Sequence, residues 1–250
     1  MPHHSFFQYY ASSLNAGHTR PASIGEIGHN GPANHEYDTH DFFDAINAGN
    51  FPSVSFLKAP AFQDAHPGNS DPLDEQTFVT TVINFLEHRP EWKETAVVIL
   101  YDDSDGWYDH VMPPIVNQSS STSDVLTTNV TVVAGLTTAT PSCGNGATAL
   151  PGVDGAGNPH AQGRCGYGIR QPLLVISPFS RENFVDHTLT DQTSVLQFIE
   201  DNWLGSERVG KGSYDNVANS IVTMFDFNNC RSGEDQKLFL DPATGERTNH

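Results

Sequence analysis

The chain is poor in positive charge. Lysine and arginine together number 12 against 30 aspartates and glutamates, a formal net charge of −18 over 250 residues. Nucleic acid and anionic membrane surfaces both demand basic patches, so neither is expected as a partner. Long apolar runs are missing too. Nothing approaches the ~18 residues that identify a membrane-spanning helix, so no integral membrane segment is expected. The opening Met1-Pro2-His3-His4 has neither a basic stretch nor an apolar core and does not read as a signal peptide. Cysteine is scarce, with three in all, and none sits in the Cys/His spacing of a zinc site.

What remains is ample for a folded domain. Hydrophobic residues make up 37% and aromatics 10%, which argues for a sizeable core and against disorder. Histidine is plentiful: 12 residues, unevenly spread towards the N-terminal third. Asp41 to Ala48 reads as a short helix stopped by Gly49, and Phe51 to Leu57 alternates like a strand. Asp74 to His88 is the clearest helix, with Phe78, Val82, Phe85 and Leu86 on one face, Asp71 or Asp74 as cap and Pro90 as stop. Thr95 to Tyr101 and Pro172 to Ser177 are apolar runs of the kind found in strands covered on both faces. Asp191 to Trp203 reads as a second good helix and Asn216 to Phe225 as a third. Strand and helix alternate, so the expected class is α/β: a mostly parallel sheet with flanking helices. Residues 117–165, rich in Ser, Thr and Gly, read as a surface insertion with a hairpin. Residues 228–250 read as a polar tail.

The chemistry concentrates after apolar runs. Thr95 to Tyr101 delivers Asp102-Asp103-Ser104-Asp105-Gly106-Trp107-Tyr108-Asp109-His110 to a strand end, where parallel α/β sheets bind ligands. Carboxylates packed so closely repel one another and persist most cheaply around a cation. Oxygen donors suit Mg²⁺, Ca²⁺ or Mn²⁺, and histidine also admits Zn²⁺ or Fe; a solvated acidic turn is the alternative. Asp64-Ala65-His66-Pro67 places His66 on a loop between the candidate strand and the capped helix. His187, beside Asp186, follows the second apolar run in the same manner. Cys143 and Cys165 flank a loose Gly/Ala/Asn/Pro stretch. A disulfide closing those ~20 residues would stabilise by roughly 3 kcal/mol in the chain-entropy model; two free thiols are the alternative.

TAVVILYDDSDGWYDHVMPP, with DAHP upstream and PLLVISPFSRENFVDHTLTDQTSVLQFIEDNW downstream, resembles the bacterial phosphoesterase family. That family holds acid phosphatases and phospholipases C within the alkaline-phosphatase-like superfamily. The resemblance runs from about His3 to Phe227. It implies a phosphate ester as substrate and a divalent metal ion of unspecified identity as cofactor, with Asp102 and Asp103 as ligands. It implies that His66 contacts the phosphoryl group and protonates the leaving oxygen, and that His4, or failing that His3, is a second phosphate contact. Asp109 and His110 would orient the loop, and His187 matches without a defined role. The family's acidic-Asn motif and its Ser or Thr nucleophile do not occur in these 250 residues. The expectation is therefore the C-terminal part of one phosphoesterase domain over residues 1–227, secreted or periplasmic in its full-length form. A sheet lacking its other half would leave an apolar face bare and favour self-association. The competing expectation is a non-catalytic metal-binding or interaction protein that keeps the aspartate loop as a structural site.

Overall fold

The computed structural model describes residues 5–104, 109–111, 113, 127–133, 136–142, 167–210, 213–228 and 236–248. His4, Cys143 and Cys165 lie outside them, and with them the expected disulfide. The chain packs as two compact units, Met1–Trp92 with Lys237–His250, and Lys93–Gln236.

In the first unit, α1 (Thr39–Asn47) and α2 (Pro72–Glu87) are the helices expected from the sequence. Asp71 caps α2: its carboxylate accepts the N–H groups of Leu73 and Asp74 at 2.8 and 3.1 Å, and the Asp74 carboxylate returns a bond to the Asp71 N–H at 3.1 Å. Pro72 fits the first helical position because its missing N–H would have had no intrahelical partner. Ala45 and Ile46 of α1 and Val82 and Leu86 of α2 are buried. Phe43 meets Phe85 edge-on at 4.8 Å between centroids, and the Arg89 guanidinium covers the Phe85 ring at 4.3 Å. Phe51 to Leu57 is not a strand. Its alternation finds no partner backbone among the described residues, and Val54 and Phe56 stay exposed.

Residues 237–248, read from the sequence as part of a polar tail, are anchored along α2. Asn84 brackets Leu240, donating to its carbonyl at 2.7 Å and accepting its N–H at 3.2 Å. Glu87, 1% exposed, receives the Leu238 N–H at 3.1 Å. Burial pushes the Glu87 carboxyl above its ordinary pKa, with that N–H opposing. The turn that follows needs Gly245 twice over: its φ is +69°, and a Cβ there would lie 2.7 Å from the Gln76 amide oxygen.

The second unit holds β1 (Val97–Leu100), β2 (Thr127–Val133), β3 (Leu136–Ser142), β4 (Leu173–Ile176) and α3 (Thr193–Trp203). β2 and β3 form a separate antiparallel hairpin, inside the stretch read as Ser/Thr-rich. β1 and β4 also pair antiparallel, Val97 opposite Ile176 and Leu100 opposite Leu173. The expected parallel pairing is thus corrected for the described strands. A continuous apolar run is the pattern of a strand covered on both faces, as in parallel sheets; here one face of the pair packs on the core while Leu174 stays exposed on the other. Val98, Leu173 and Val175 pack on Val195, Ile221 and Phe225. Phe198 stacks on Phe225 at 5.2 Å. The expected third helix, Asn216 to Phe225, is replaced by two 3-10 turns, Tyr214–Asn216 and Ile221–Met224. The Ser220 hydroxyl takes the Val222 N–H and so restarts the chain in mid-segment.

α3 also buries charge. Glu200 and Asp215 are 2% and 0% exposed, and Arg208 lies 3.3 Å from Glu200. Burial first and Asp215 second push the Glu200 pKa up. Burial acts the same way on Asp215, but Ser213 and the Val209 N–H, at 2.9 Å, outweigh it and hold that carboxyl down.

Two outcomes follow from this packing. Asn84→Ala removes both bonds to Leu240 and should cost about 1–3 kcal/mol, read as a lower urea midpoint, with faster proteolysis within 237–248. Leu174 is 55% exposed, beside Ile99 on the face of the pair turned away from Val195 and Phe225. We expect concentration-dependent self-association in light scattering, reduced by Leu174→Glu.

Candidate functional site

Antiparallel pairing brings the end of β1 and the approach to β4 to one edge. Asp102 and Asp103, both exposed, sit there. Two long-range clasps hold the edge. Arg170 grips Asp109 with Nε and Nη2, both at 2.8 Å, and adds its backbone N–H at 3.3 Å; the Val111 N–H donates to the same carboxylate at 3.0 Å. The fork of a guanidinium matches a carboxylate in this bidentate way. From the first residue before α3, the Gln192 amide nitrogen donates to the carbonyls of Tyr101 and Asp102, at 2.8 and 3.0 Å.

The electrostatics follow the contacts. The Arg170 side chain, and after it the Val111 N–H, hold the Asp109 carboxyl far below the usual carboxylate range. Burial, then the Asp191 carboxylate, push the Tyr167 phenol upward. It stays protonated at any physiological pH. His110 is exposed, its Nδ1 3.6 Å from Asp109. Asp102 and Asp103 have the hard oxygen donors that a divalent cation prefers. Among the described residues, however, no three His, Cys, Asp or Glu side chains gather to hold a metal ion. Such a cation takes about six to eight oxygens, so the pair fits in donor type and makes only part of a shell.

His66 belongs to the first unit, on a loop that the sequence reading placed after a strand and the structure does not. The loop closes on itself. The Asp64 carboxylate accepts the His66 N–H at 2.9 Å, the Asn69 amide at 3.1 Å and the Ser70 hydroxyl at 3.2 Å. Burial would raise the Asp64 pKa; these donors, with the nearby His66 ring, lower it on balance. The His66 Nδ1 lies 2.9 Å from the Pro67 carbonyl. His187 is exposed. Its neighbour Asp186 is tied down by Thr223 and, at 2.8 Å, by the Thr188 N–H.

Sequence reasoning missed Arg170, Gln192 and the buckling role of Asp64. Arg170 and Gln192 act over separations of 61 and 90 residues, which no local pattern reports. Asp64 did leave a signal, an Asx residue three before the Pro67-Gly68 turn.

The model of the phosphoesterase family matches residues 3–204, and the chain belongs to that family. It is 32% identical over 163 residues to the non-hemolytic phospholipase C of Pseudomonas aeruginosa, covering 62% of this chain and 20% of that protein. It is 30% identical over 159 residues to phospholipase C A of Mycobacterium tuberculosis, covering 64% and 26%. A shorter match, 36% over 89 residues, is to the non-specific phospholipase C6 of Arabidopsis thaliana, covering 33% and 17%. The chain spans about a fifth to a quarter of the length of the bacterial relatives.

The Asp109–Arg170 clasp has a pH signature. Its carboxyl is depressed on folding, so its stabilisation is full above the unfolded value, about 3.9, and fades only as pH falls through the depressed one. Carboxyl carbon NMR should find Asp109 still ionised at pH 3, and Arg170→Ala should return it towards ordinary titration.

Proposed function

We propose that the protein acts in the hydrolysis of phosphate esters, with a phospholipid as the substrate class that the names of its relatives favour. The observation that carries this reading is the family match running through the strand-end segment that ends in Asp102 and Asp103. In it, Asp102 and Asp103 hold a divalent cation, with further ligands from beyond the described residues. Such an ion supplies charge neutralisation at the non-bridging oxygens and acidifies the attacking hydroxyl. His66 donates a hydrogen bond to the phosphoryl group and a proton to the leaving oxygen, and His4 is a second phosphate contact. Asp109 and His110 steady the loop that carries the aspartates. The nucleophile, a Ser or Thr in the family's pattern, is supplied from outside these 250 residues.

The test is turnover of p-nitrophenyl phosphate and of phosphatidylcholine vesicles by the complete gene product, with added Mg²⁺, Mn²⁺ or Zn²⁺. Asp103→Ala and His66→Gln should each lower kcat by about 10²–10⁴ while circular dichroism stays unchanged. No turnover of either ester, or a full rate in Asp103→Ala, contradicts the reading.

A further inference from the structure

In the second unit two buried carboxyl groups face one another with little positive charge to separate them. Glu200, near the end of α3, and Asp215, in the turn Tyr214–Asn216, are both fully buried. Arg208 is the cation beside them. Its Nη2 lies 2.7 Å from the exposed Asp201 and its Nη1 only 3.3 Å from Glu200, so the shorter contact goes to the acid outside the pair. Asp215 takes the Val209 N–H on Oδ2 at 2.9 Å. Its Oδ1 is buried, and no N–H group among the described residues donates to it. The Ser213 hydroxyl lies near enough to help hold Asp215 ionised, yet is itself buried short of a hydrogen bond. The remaining group against Asp215 is the Glu200 carboxyl, and a hydrogen bond joins the two. Ionised carboxylates only accept, so that bond requires one of the pair to keep a proton. Asp215 has the N–H, and Glu200 has the longer arm of a divided guanidinium. The proton therefore belongs to Glu200.

The same residues close the end of α3. The Glu200 carbonyl takes the Leu204 and Ser206 N–H groups at 2.9 and 3.1 Å, and the Gln197 amide donates to the carbonyls of Asp215 and Ala218 at 3.1 and 2.9 Å. Between them the chain turns through Gly205 and Ser206 at φ +61° and +64°. Ser206 carries a Cβ, so this left-handed turn is strained and must be held. We propose that Glu200 and Asp215 share one proton and form a pH-sensitive latch that fastens residues 204–210 and 213–218 to the end of α3, closed in acid and loosened as the pH rises. Loss of the proton breaks the bond between the carboxyls and leaves two like charges buried with one divided cation. Opening the strained turn to water relieves them. The proposal is independent of how the site around Asp102 is read.

The sign follows from the two carboxyls. Burial, then the Asp215 charge, raise Glu200, so its contribution is full below the unfolded value, about 4.3, and is lost as the pH rises through the raised one. Asp215 is depressed, so its contribution is full above about 3.9 and is lost only as the pH falls through the depressed value. Together they stabilise most near about pH 4.

Carboxyl-carbon NMR of the ¹³C-labelled chain tests this, with the two signals identified by their loss in Glu200→Gln and Asp215→Asn. Glu200 should ionise after the exposed glutamates. Asp215→Asn, which removes the facing charge and supplies an amide donor, should shift the Glu200 titration downward. Glu200→Gln keeps a donor towards Asp215 without a proton to lose. The folding constant of wild type relative to this variant, from urea unfolding, should fall by up to about tenfold per pH unit above about 4.3 and level off once Glu200 is ionised. Amide exchange at Ser206 and Val209 should quicken over the same interval relative to Glu200→Gln at equal pH. A Glu200 carboxyl that titrates with the exposed glutamates overturns the proposal, as does one unmoved by Asp215→Asn. A wild-type to Glu200→Gln ratio that stays flat from about pH 4 to about pH 8 also overturns it.

Discussion

The grip of Arg170 on Asp109 is the contact on which the arrangement of the second unit turns. It ties the segment leaving β1 to the segment entering β4, so those two ends must share an edge, and strands joined that way run antiparallel. The register then follows, with Leu100 opposite Leu173 at the clasped end. Packing of Val98, Leu173 and Val175 on α3 and the 3-10 turns fixes one face of the pair, and the helix returns Gln192 to the same edge. A two-stranded ribbon is marginal alone. Here side-chain contacts from three segments far apart in sequence support it, and the Asp102–Asp103 backbone is held by the same contacts.

The first unit solves a different problem, with local caps and one long-range anchor. Its buried core is mostly aliphatic, with Trp92, and half-buried phenylalanines pack edge-on around it. Much of its order comes from polar side chains satisfying backbone groups: Asp71 at the start of α2, Asn84 on Leu240, Asp64 within its own loop. The abundance of acids in the chain has a structural use here, because the carboxylates of Asp71 and Asp64 accept backbone N–H groups at a helix start and within a loop. Net charge of −18 is thus partly spent in caps and buckles and partly concentrated at the end of β1.

The sequence was most legible where a signal was local and periodic. α2 could be read from Phe78, Val82, Phe85 and Leu86, and its start from a capping aspartate, Asp71 or Asp74, of which the structure uses Asp71, because a cap and a 3.6-residue repeat lie within one window. The apolar runs gave β1 and β4 to within two residues. Direction was not legible, since Arg170–Asp109 is invisible in a linear pattern. Phe51 to Leu57 shows the opposite failure: alternation marks a segment able to pair, while pairing depends on a partner elsewhere. Asn216 to Phe225 misled because Ile221 and Phe225 keep helical spacing across a chain interrupted at Ser220. Of the candidate site, the motifs around Asp102 and His66 could be read through family resemblance, and the match over residues 3–204 bears out that resemblance. The groups that hold them, Gln192, Arg170 and Asp64, could be found only in three dimensions.

The central claim is that Asp102 and Asp103 form the ion-holding end of a phosphoesterase site. Anomalous diffraction at the manganese edge, from crystals of the complete gene product grown with Mn²⁺ and orthovanadate, tests it most directly. The account predicts a peak about 2.0–2.6 Å from carboxylate oxygens of both residues, with vanadate among the remaining ligands. A well-ordered site whose manganese is bound by other residues, with Asp102 and Asp103 both turned to solvent, would contradict it.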